Sequence, residues 1–263
     1  MEIVELEGAG NIRDIGGTPL EGGLVVRRGL IYRGSALCKM TDRDRETLFG
    51  DRGVSCVVDL RTGWERALKP DPEVEGVENL HIPFYDKDIV GIEYVKPLPG
   101  TKMIGSDFAC DPDDFYRSMA NPLTSAQMGK VLDAVFSRAA AGRPVYLHCS
   151  GGKDRVGVAT LLVLTVLGAP EDAILEDYLF TNVHRDKNSQ PIYERFLRLA
   201  GDEERAREIT AAHRALPGNI AAFREAVDEA YGSMGAFLSD KLGYGEERCR
   251  LLRAACAEPA RDR

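Results

Sequence analysis

Pro144-Val145-Tyr146-Leu147-His148-Cys149-Ser150-Gly151-Gly152-Lys153-Asp154-Arg155-Val156-Gly157 reads as a short buried strand, a glycine-containing loop and the start of an apolar helix. Val145 to Leu147, after a proline, give the strand, and the run Val156 to Leu167 is too apolar for a surface helix. Gly151 and Gly152 permit the sharp turn between them. In such a turn the amides from Ser150 to Arg155 converge into an anion nest, with the positive end of the following helix dipole behind it. The stretch therefore predicts a phosphate-binding loop.

Cys149 stands at the mouth of that nest, where a helix N-terminus and neighbouring cations favour thiolate over thiol. Arg155, six positions on, offers a planar fork that holds two phosphate oxygens while the cysteine attacks in line. Asp154 adds a carboxylic acid able to protonate the leaving oxygen and then serve as base toward the water that hydrolyses a phosphocysteine. Lys153 is a second cation for recognising substrate. The plainer alternative is a buried cysteine ending a core strand, followed by a loop with solvated charges, and Cys-x5-Arg alone does not exclude it. The preceding strand with His148, the two glycines, the cationic loop end and the apolar helix favour catalysis. A Walker loop is excluded, since Gly-x4-Gly-Lys-Ser/Thr needs glycine at Leu147 and a hydroxyl at Asp154.

With 263 residues, 44% of them hydrophobic, the chain can bury a substantial core, and it is read as one domain over 1–263 with an insertion. A formal net charge of -8 without a basic stripe argues against general nucleic-acid binding. The six cysteines lack metal-ligand pairs, so reduced thiols and no metal are expected, with Cys56 in the core. There is no apolar signal core, and Val156 to Leu167 is too short to cross a membrane. A cytoplasmic protein without membrane insertion is expected.

Along the chain, Leu24 to Arg27 and Leu30 to Arg33 suggest a hairpin after the Gly22-Gly23 turn. Thr41 caps a helix from Asp42 to about Phe49. Val54 to Leu60 is a buried strand expected beside the catalytic one, which puts Asp59 and Arg61 near the pocket rim. Asp59 is then a second candidate acid, and Arg61 has either a substrate or Glu65 as partner. A strand around Leu80 to Phe84 follows. From 85 to 120, Pro97, Pro99, Gly100 and Gly105 interrupt any periodicity, and a lid over the site is expected there, with Asp86 and Asp88 read as solvated loop residues before runner-up acids, and a helix over Asp113 to Met119. Ser125 to Ala141 is an amphipathic helix stopped by Gly142. Everything beyond the catalytic loop reads as helical, with no chemistry beyond packing and a lid or substrate groove. His81, His184 and His213 have no ligand-spaced partners.

His148-Cys149-Ser150-Gly151-Gly152-Lys153-Asp154-Arg155 resembles the His-Cys-x-x-Gly-Lys-Asp-Arg signature of the bacterial tyrosine phosphatases with dual or triple specificity, among them secreted mycobacterial and listerial enzymes. Asn11-Ile12-Arg13-Asp14-Ile15-Gly16-Gly17, Tyr32-Arg33-Gly34-Ser35, Asp59-Leu60-Arg61 with Glu65, Tyr178 to Asn182 and Tyr231-Gly232-Ser233 are similar to other segments of that family, in the family's order.

The expectation is thus an α/β fold with a central, mostly parallel sheet flanked by helices, a helical lid insertion and a helical C-terminal part. Cys149 is expected as nucleophile, Arg155 as clamp, Asp154 as acid and base, Ser150, Gly151, Gly152 and Lys153 as the substrate cradle, and His148 as a tuner of the thiolate. Arg13 and Asp14 either brace the phosphate loop or fix the N-terminal segment by an ion pair. No cofactor is expected. The resemblance implies phosphotyrosine as substrate, with phosphoserine, phosphothreonine or phosphoinositides besides, inorganic phosphate as product, and non-classical secretion as an alternative location. Val156 departs from the family, which has a hydroxyl there. Two rivals are a phosphate-binding module without turnover and a rhodanese-like sulfurtransferase.

Overall fold

The computed structural model describes residues 1–84, 112–187, 189–212 and 214–260. Its frame is a six-stranded sheet in the order β1-β2-β5-β8-β6-β7 and a three-stranded sheet in the order β3-β4-β9. The strands are β1 (Glu2–Ile3), β2 (Arg13–Asp14), β3 (Pro19–Leu20), β4 (Leu24–Val26), β5 (Ile31–Gly34), β6 (Cys56–Asp59), β7 (Glu78–His81), β8 (Val145–His148) and β9 (Ala257–Pro259). β5, β8, β6 and β7 run parallel, and β2 and β1 close one edge antiparallel. β8, which delivers Cys149, lies between β5 and β6 with Tyr146 beside Tyr32 and Val57.

Alternation along the central strands divides the core in two. Ile31, Cys56, Val58, Val145 and Leu147 join a large cluster with the helices on one face. Tyr32, Val57 and Tyr146 point to the other face, against Val4, Ile12, Leu37, Leu48 and Val54.

The first helices are α1 (Asp42–Arg45), which continues as a π-helical turn over Glu46–Asp51, and α2 (Gly63–Leu68). α3 (Pro112–Ser118) and α4 (Pro122–Ala139) precede β8, and α5 (Asp154–Leu167) follows the loop. Then come α6 (Glu171–Lys187), α7 (Ser189–Ala200), α8 (Glu203–Ala212), α9 (Pro217–Tyr231), α10 (Met234–Ala236) with a π turn over Phe237–Lys241, and α11 (Glu246–Cys256). Thr41 caps α1 as its sequence foretells: its hydroxyl accepts from the Asp44 amide, and the Asp44 side chain returns the bond. α5 is buried on nearly every residue, and Gly168 ends it in the left-handed conformation.

Four sequence expectations need correction. The hairpin of Leu24 to Arg27 with Leu30 to Arg33 does not form. β4 pairs with β3 and β9, whereas Ile31 to Gly34 pair with the catalytic strand, because Ile31 and Tyr32 each bury their side chains in the central sheet. The strand expected at Leu80 to Phe84 is paired over Glu78–His81; Leu80, Ile82 and Phe84 still supply its apolar contacts, but the ladder to β6 starts at the exposed Glu78. The helix expected from Ser125 begins at Pro122, because Asn121 accepts from the Leu123 and Thr124 amides. The C-terminal part is not wholly helical, since β9 returns to pair with β4. Of the lid expected over 85–120, residues 85–111 lie outside the described residues and α3 falls in the remainder; Asp86, Asp88 and His213 also lie outside them. Among the described residues no helix is long and apolar enough to cross a membrane.

Candidate active site

The loop from Cys149 to Lys153 links the end of β8 to the first turn of α5, so Asp154 and Arg155 are that helix's first residues. Lys153, at the N-cap, makes no side-chain capping bond, so its side chain does not occupy the amides of the first turn. Cys149 is 2% exposed, and it is one of five described cysteines that are all free thiols. Gly152 is in the left-handed region at φ 67°, and a Cβ on it would meet the carbonyl carbon of Gly34 at 2.5 Å. Only glycine meets both conditions, so the loop can pass tightly over the end of β5.

The loop rests on a polar floor. The Asn11 amide donates to the Gly152 carbonyl at 2.9 Å, and Arg33 Nη2 donates to the same oxygen at 2.8 Å. Asn11 itself adopts φ 58°, a conformation asparagine tolerates better than most residues. Arg13 Nη1 donates to Asn11 Oδ1 at 2.8 Å, which fixes the way that amide faces. Both arginines share one buried counter-ion: Arg13 Nε bonds Asp177 at 2.9 Å, and Arg33 pairs with its other oxygen. Burial raises the Asp177 carboxyl, but the charges of Arg13 and Arg33 overcome it and hold it below the ordinary range. Burial, helped by Arg33, lowers Arg13 to about 10.

Arg13 therefore braces the loop through Asn11. Asp14 has another task, accepting from the Gly16 amide at 2.8 Å and the Gly29 amide at 2.6 Å; burial raises its carboxyl. The ion pair between Arg13 and Asp14 considered from the sequence does not form.

Arg155 meets Glu65. Its Nη1 donates to Glu65 Oε2 at 2.6 Å and its Nη2 to Oε1 at 2.9 Å, while Ser150 Oγ donates to Oε1 at 2.5 Å. Glu65 is fixed at the start of α2, where it accepts from the Thr62 amide at 2.9 Å and the Thr62 hydroxyl caps the Glu65 amide. Burial pushes this carboxyl up, but the hydrogen bonds and charge of Arg155, with Ser150 and Thr62, bring it down to about 2.

Asp154 Oδ1 accepts from Tyr116 Oη at 2.6 Å and lies 3.2 Å from Lys153 Nζ. Burial raises the Asp154 carboxyl, and the Lys153 ammonium and the Tyr116 hydrogen bond reverse that and lower it. Lys153 is not the solvated lysine its loop position suggests: it is 7% exposed, and its Nζ donates to the Arg214 carbonyl at 3.3 Å.

Asp59 and Arg61 are not at the rim. Arg61 is 2% exposed; it donates to both Asp59 oxygens and, at 2.6 Å, to Asp71. Its alternative partner, Glu65, is taken by Arg155. These bonds, set against burial, hold the Asp59 carboxyl low and turn both its oxygens to Arg61. The same cluster receives His148, whose Nδ1 is 3.3 Å from the Cys149 carbonyl and whose Nε2 is 3.1 Å from Asp71 Oδ2, within ion-pair distance but off the hydrogen-bond line. Asp59, Asp71 and His148 bring their ligand atoms within 4.8 Å of one another. The Arg61 guanidinium already pairs with both carboxylates, and a divalent ion would compete with it.

Asn11, Arg33, Glu65, Tyr116 and Asp177 are the residues that sequence reasoning did not place at the site. Thr62-x-x-Glu65 is a capping box, a local signal that could have marked Glu65 as fixed, though not its partner. Asp177 comes 164 residues after Arg13, a separation no spacing rule reads.

A strand-loop-helix with cysteine at its mouth, arginine in the helix's first turn and a carboxylic acid between them defines a phosphatase of the cysteine-dependent class. The family model described as "Tyrosine phosphatase family" matches residues 4–258. The triple specificity protein phosphatase PtpB of Mycobacterium tuberculosis is 30% identical over 269 residues, covering 91% of this chain and 94% of that protein. A putative tyrosine-protein phosphatase of Cupriavidus necator is 28% identical over 241 residues, covering 88% and 81%. The solved core catalytic domain of a PP-IP phosphatase from S. cerevisiae is similar with a TM-score of 0.37 at 13% identity, over 67% of this chain and 78% of that one. The chain belongs to the tyrosine phosphatase family, and it is a phosphoric monoester hydrolase.

Proposed function

We propose that the enzyme hydrolyses phosphotyrosine through a phosphocysteine formed on Cys149. The ester dianion enters the nest of amides from Ser150 to Arg155, and the fork of Arg155, steadied by Glu65, holds its oxygens. Cys149 Sγ attacks phosphorus opposite the ester oxygen. As the P–O bond breaks, Asp154 gives its proton to that oxygen and the alcohol leaves. Asp154, now a carboxylate, takes a proton from water, whose oxygen attacks phosphorus and releases inorganic phosphate and the Cys149 thiolate. Lys153 acts in this scheme by setting the charge around Asp154, and His148 by holding the Cys149 carbonyl.

The observation that carries the reading is the placement of nucleophile, amide nest, acid and clamp on consecutive residues between the end of β8 and the first turn of α5. The low carboxyl of Asp154 in the ligand-free chain means that its acid role requires a proton taken up with the dianion or in acidic solution. Side chains at the site come from as far apart in the chain as Asn11 and Asp177, which supports one catalytic domain.

The substrate range is proposed to extend to phosphoserine, phosphothreonine and phosphoinositides, on the strength of the relative named a triple specificity phosphatase. Hydrolysis of p-nitrophenyl phosphate, run beside sulfur transfer from thiosulfate to cyanide, tests the reading. Phosphate release without sulfur transfer is expected. Phosphate binding with neither reaction would make the chain a binding module, and sulfur transfer alone a rhodanese-like enzyme.

A further inference from the structure

Asp154 stands at the end of a chain of hydroxyls that the scheme above does not use. Tyr116, on α3, donates to Asp154 Oδ1 at 2.6 Å, and its Oη is 2.6 Å from Tyr178 Oη on α6. Tyr178 in turn donates to Asn219 Oδ1 at 3.1 Å, in the first turn of α9. Tyr116 and Tyr178 are each 1% exposed and Asn219 is 2% exposed, so these hydroxyls make their bonds out of water. The two rings meet edge to face, with centroids 6.2 Å apart. Gly157, two residues past Arg155, makes room for this arrangement: a Cβ there would come within 2.9 Å of the Tyr178 ring.

Proton counting gives the chain a direction. Burial, and then the charge on Asp154, push the Tyr116 phenol well above its ordinary range, so it stays protonated and donates. Its single proton goes to Asp154 Oδ1, and its oxygen can accept the proton of Tyr178, which turns between Tyr116 and Asn219 Oδ1. Lys153 Nζ approaches the same Oδ1, at 3.2 Å. Both donors thus engage one oxygen of the carboxyl, and the proton exchanged with substrate belongs to the other.

We propose that Tyr116 is a positioning residue for Asp154: it fixes the carboxyl so that Oδ2 carries the proton exchanged with the leaving oxygen, and so sets how well the enzyme cleaves esters with poor leaving groups. The inference rests on the reading of Asp154 as acid and base. In the first half-reaction the Oδ2 proton passes to the ester oxygen as P–O breaks, and the resulting carboxylate is stabilised through Oδ1 by Tyr116. In the second half a proton of the attacking water returns to Oδ2 while the S–P bond breaks. Tyr116 keeps its own proton throughout.

Three variants, Tyr116→Phe, Asp154→Asn and the double variant, tested on aryl phosphates of graded leaving-group pKa, decide the matter. Tyr116→Phe is expected to lower kcat/KM by ~10-fold for phenyl phosphate but less than about twofold for dinitrophenyl phosphate, steepening the dependence toward that of Asp154→Asn. The double variant is expected to lose no more than Asp154→Asn alone, because Tyr116 acts through Asp154. A steeper slope in Asp154→Asn with equal losses across substrates in Tyr116→Phe, or losses that multiply in the double variant, overturns the inference and leaves the acid in place. An unchanged slope in Asp154→Asn overturns the acid itself, and the inference with it. Thermal unfolding of each variant checks that it is folded; should Tyr116→Phe fail to fold, Tyr178→Phe is expected to steepen the slope more weakly, and an unchanged slope there is the contrary result.

Discussion

The Glu65 carboxylate holds both terminal nitrogens of Arg155, at 2.6 and 2.9 Å, and it is itself anchored by the Thr62 amide. A guanidinium gripped in this way presents the rest of its fork in one orientation before substrate arrives, which removes an ordering cost from binding. Glu65→Gln keeps the shape and removes the charge. It is expected to lower kcat/KM by about 10²-fold, with KM rising, since a displaced clamp misplaces the phosphate. Steady-state kinetics on an aryl phosphate checks this, and an unchanged KM would mean that Arg155 is oriented without Glu65.

The same pair has a pH signature. The Glu65 carboxyl is depressed from 4.5 to about 2, so its stabilisation is fully present above 4.5 and is lost as pH falls through about 2. The stability gap between wild type and Glu65→Gln, measured by denaturant unfolding, is therefore expected to be widest near neutrality and to close as pH falls toward 2. A gap that widens in acid contradicts the assignment.

Asp177 is the carboxylate shared by two buried arginines, Arg13 and Arg33. Asp177→Asn leaves both cations without their counter-charge and is expected to cost about 3–5 kcal/mol of stability. Equilibrium unfolding measures it. A loss below about 1 kcal/mol, the level of an exposed pair, would show that the floor is held by its other hydrogen bonds.

Much of this was legible in the sequence, and the boundary has a physical cause. Val145 to Leu147, the glycine turn and the apolar run to Leu167 report burial and turn chemistry directly, so the strand, the loop and the helix were readable. The Thr41 cap was readable for the same local reason. Glu65, by contrast, was read only as an alternative partner of Arg61, and which arginine it meets depends on how β6 and β8 lie side by side. Lys153 was read as a cation for recognising substrate; the Arg214 carbonyl and Asp154 that cover it come from the fold. Tyr116 and Tyr178 are 62 residues apart, and no spacing rule shows that their hydroxyls link in a chain to Asp154.

Lys153→Ala tests the charge around the acid. The ammonium lowers the Asp154 carboxyl, so its removal must raise it. Because an acid works only while protonated, the alkaline limb of kcat/KM that Asp154 controls is expected to move to higher pH in the variant. An unmoved limb, or one shifted to lower pH, contradicts the role given to Lys153.

Val156 occupies the position where the family usually carries a hydroxyl that bonds the cysteine sulfur, and here it is wholly buried. Ser150 does not take over, since its hydroxyl is given to Glu65. Breakdown of the phosphocysteine is therefore expected to be slow, with an initial burst of product. Val156→Thr is expected to raise steady-state turnover and shrink the burst, at about 1–3 kcal/mol of stability if the new hydroxyl finds no partner. Rapid-quench kinetics reads both; a wild type without a burst, or a folded but slower threonine variant, contradicts the account.

The central claim is that phosphate passes through Cys149. Acid-quenching the enzyme during turnover of a radiolabelled aryl phosphate and mapping the label by peptide mass spectrometry tests it most directly. Label is expected on the peptide containing Cys149 and absent from Cys149→Ser, which should also have lost turnover while still binding vanadate. Label on another residue, or appreciable hydrolysis by the serine variant, would contradict it.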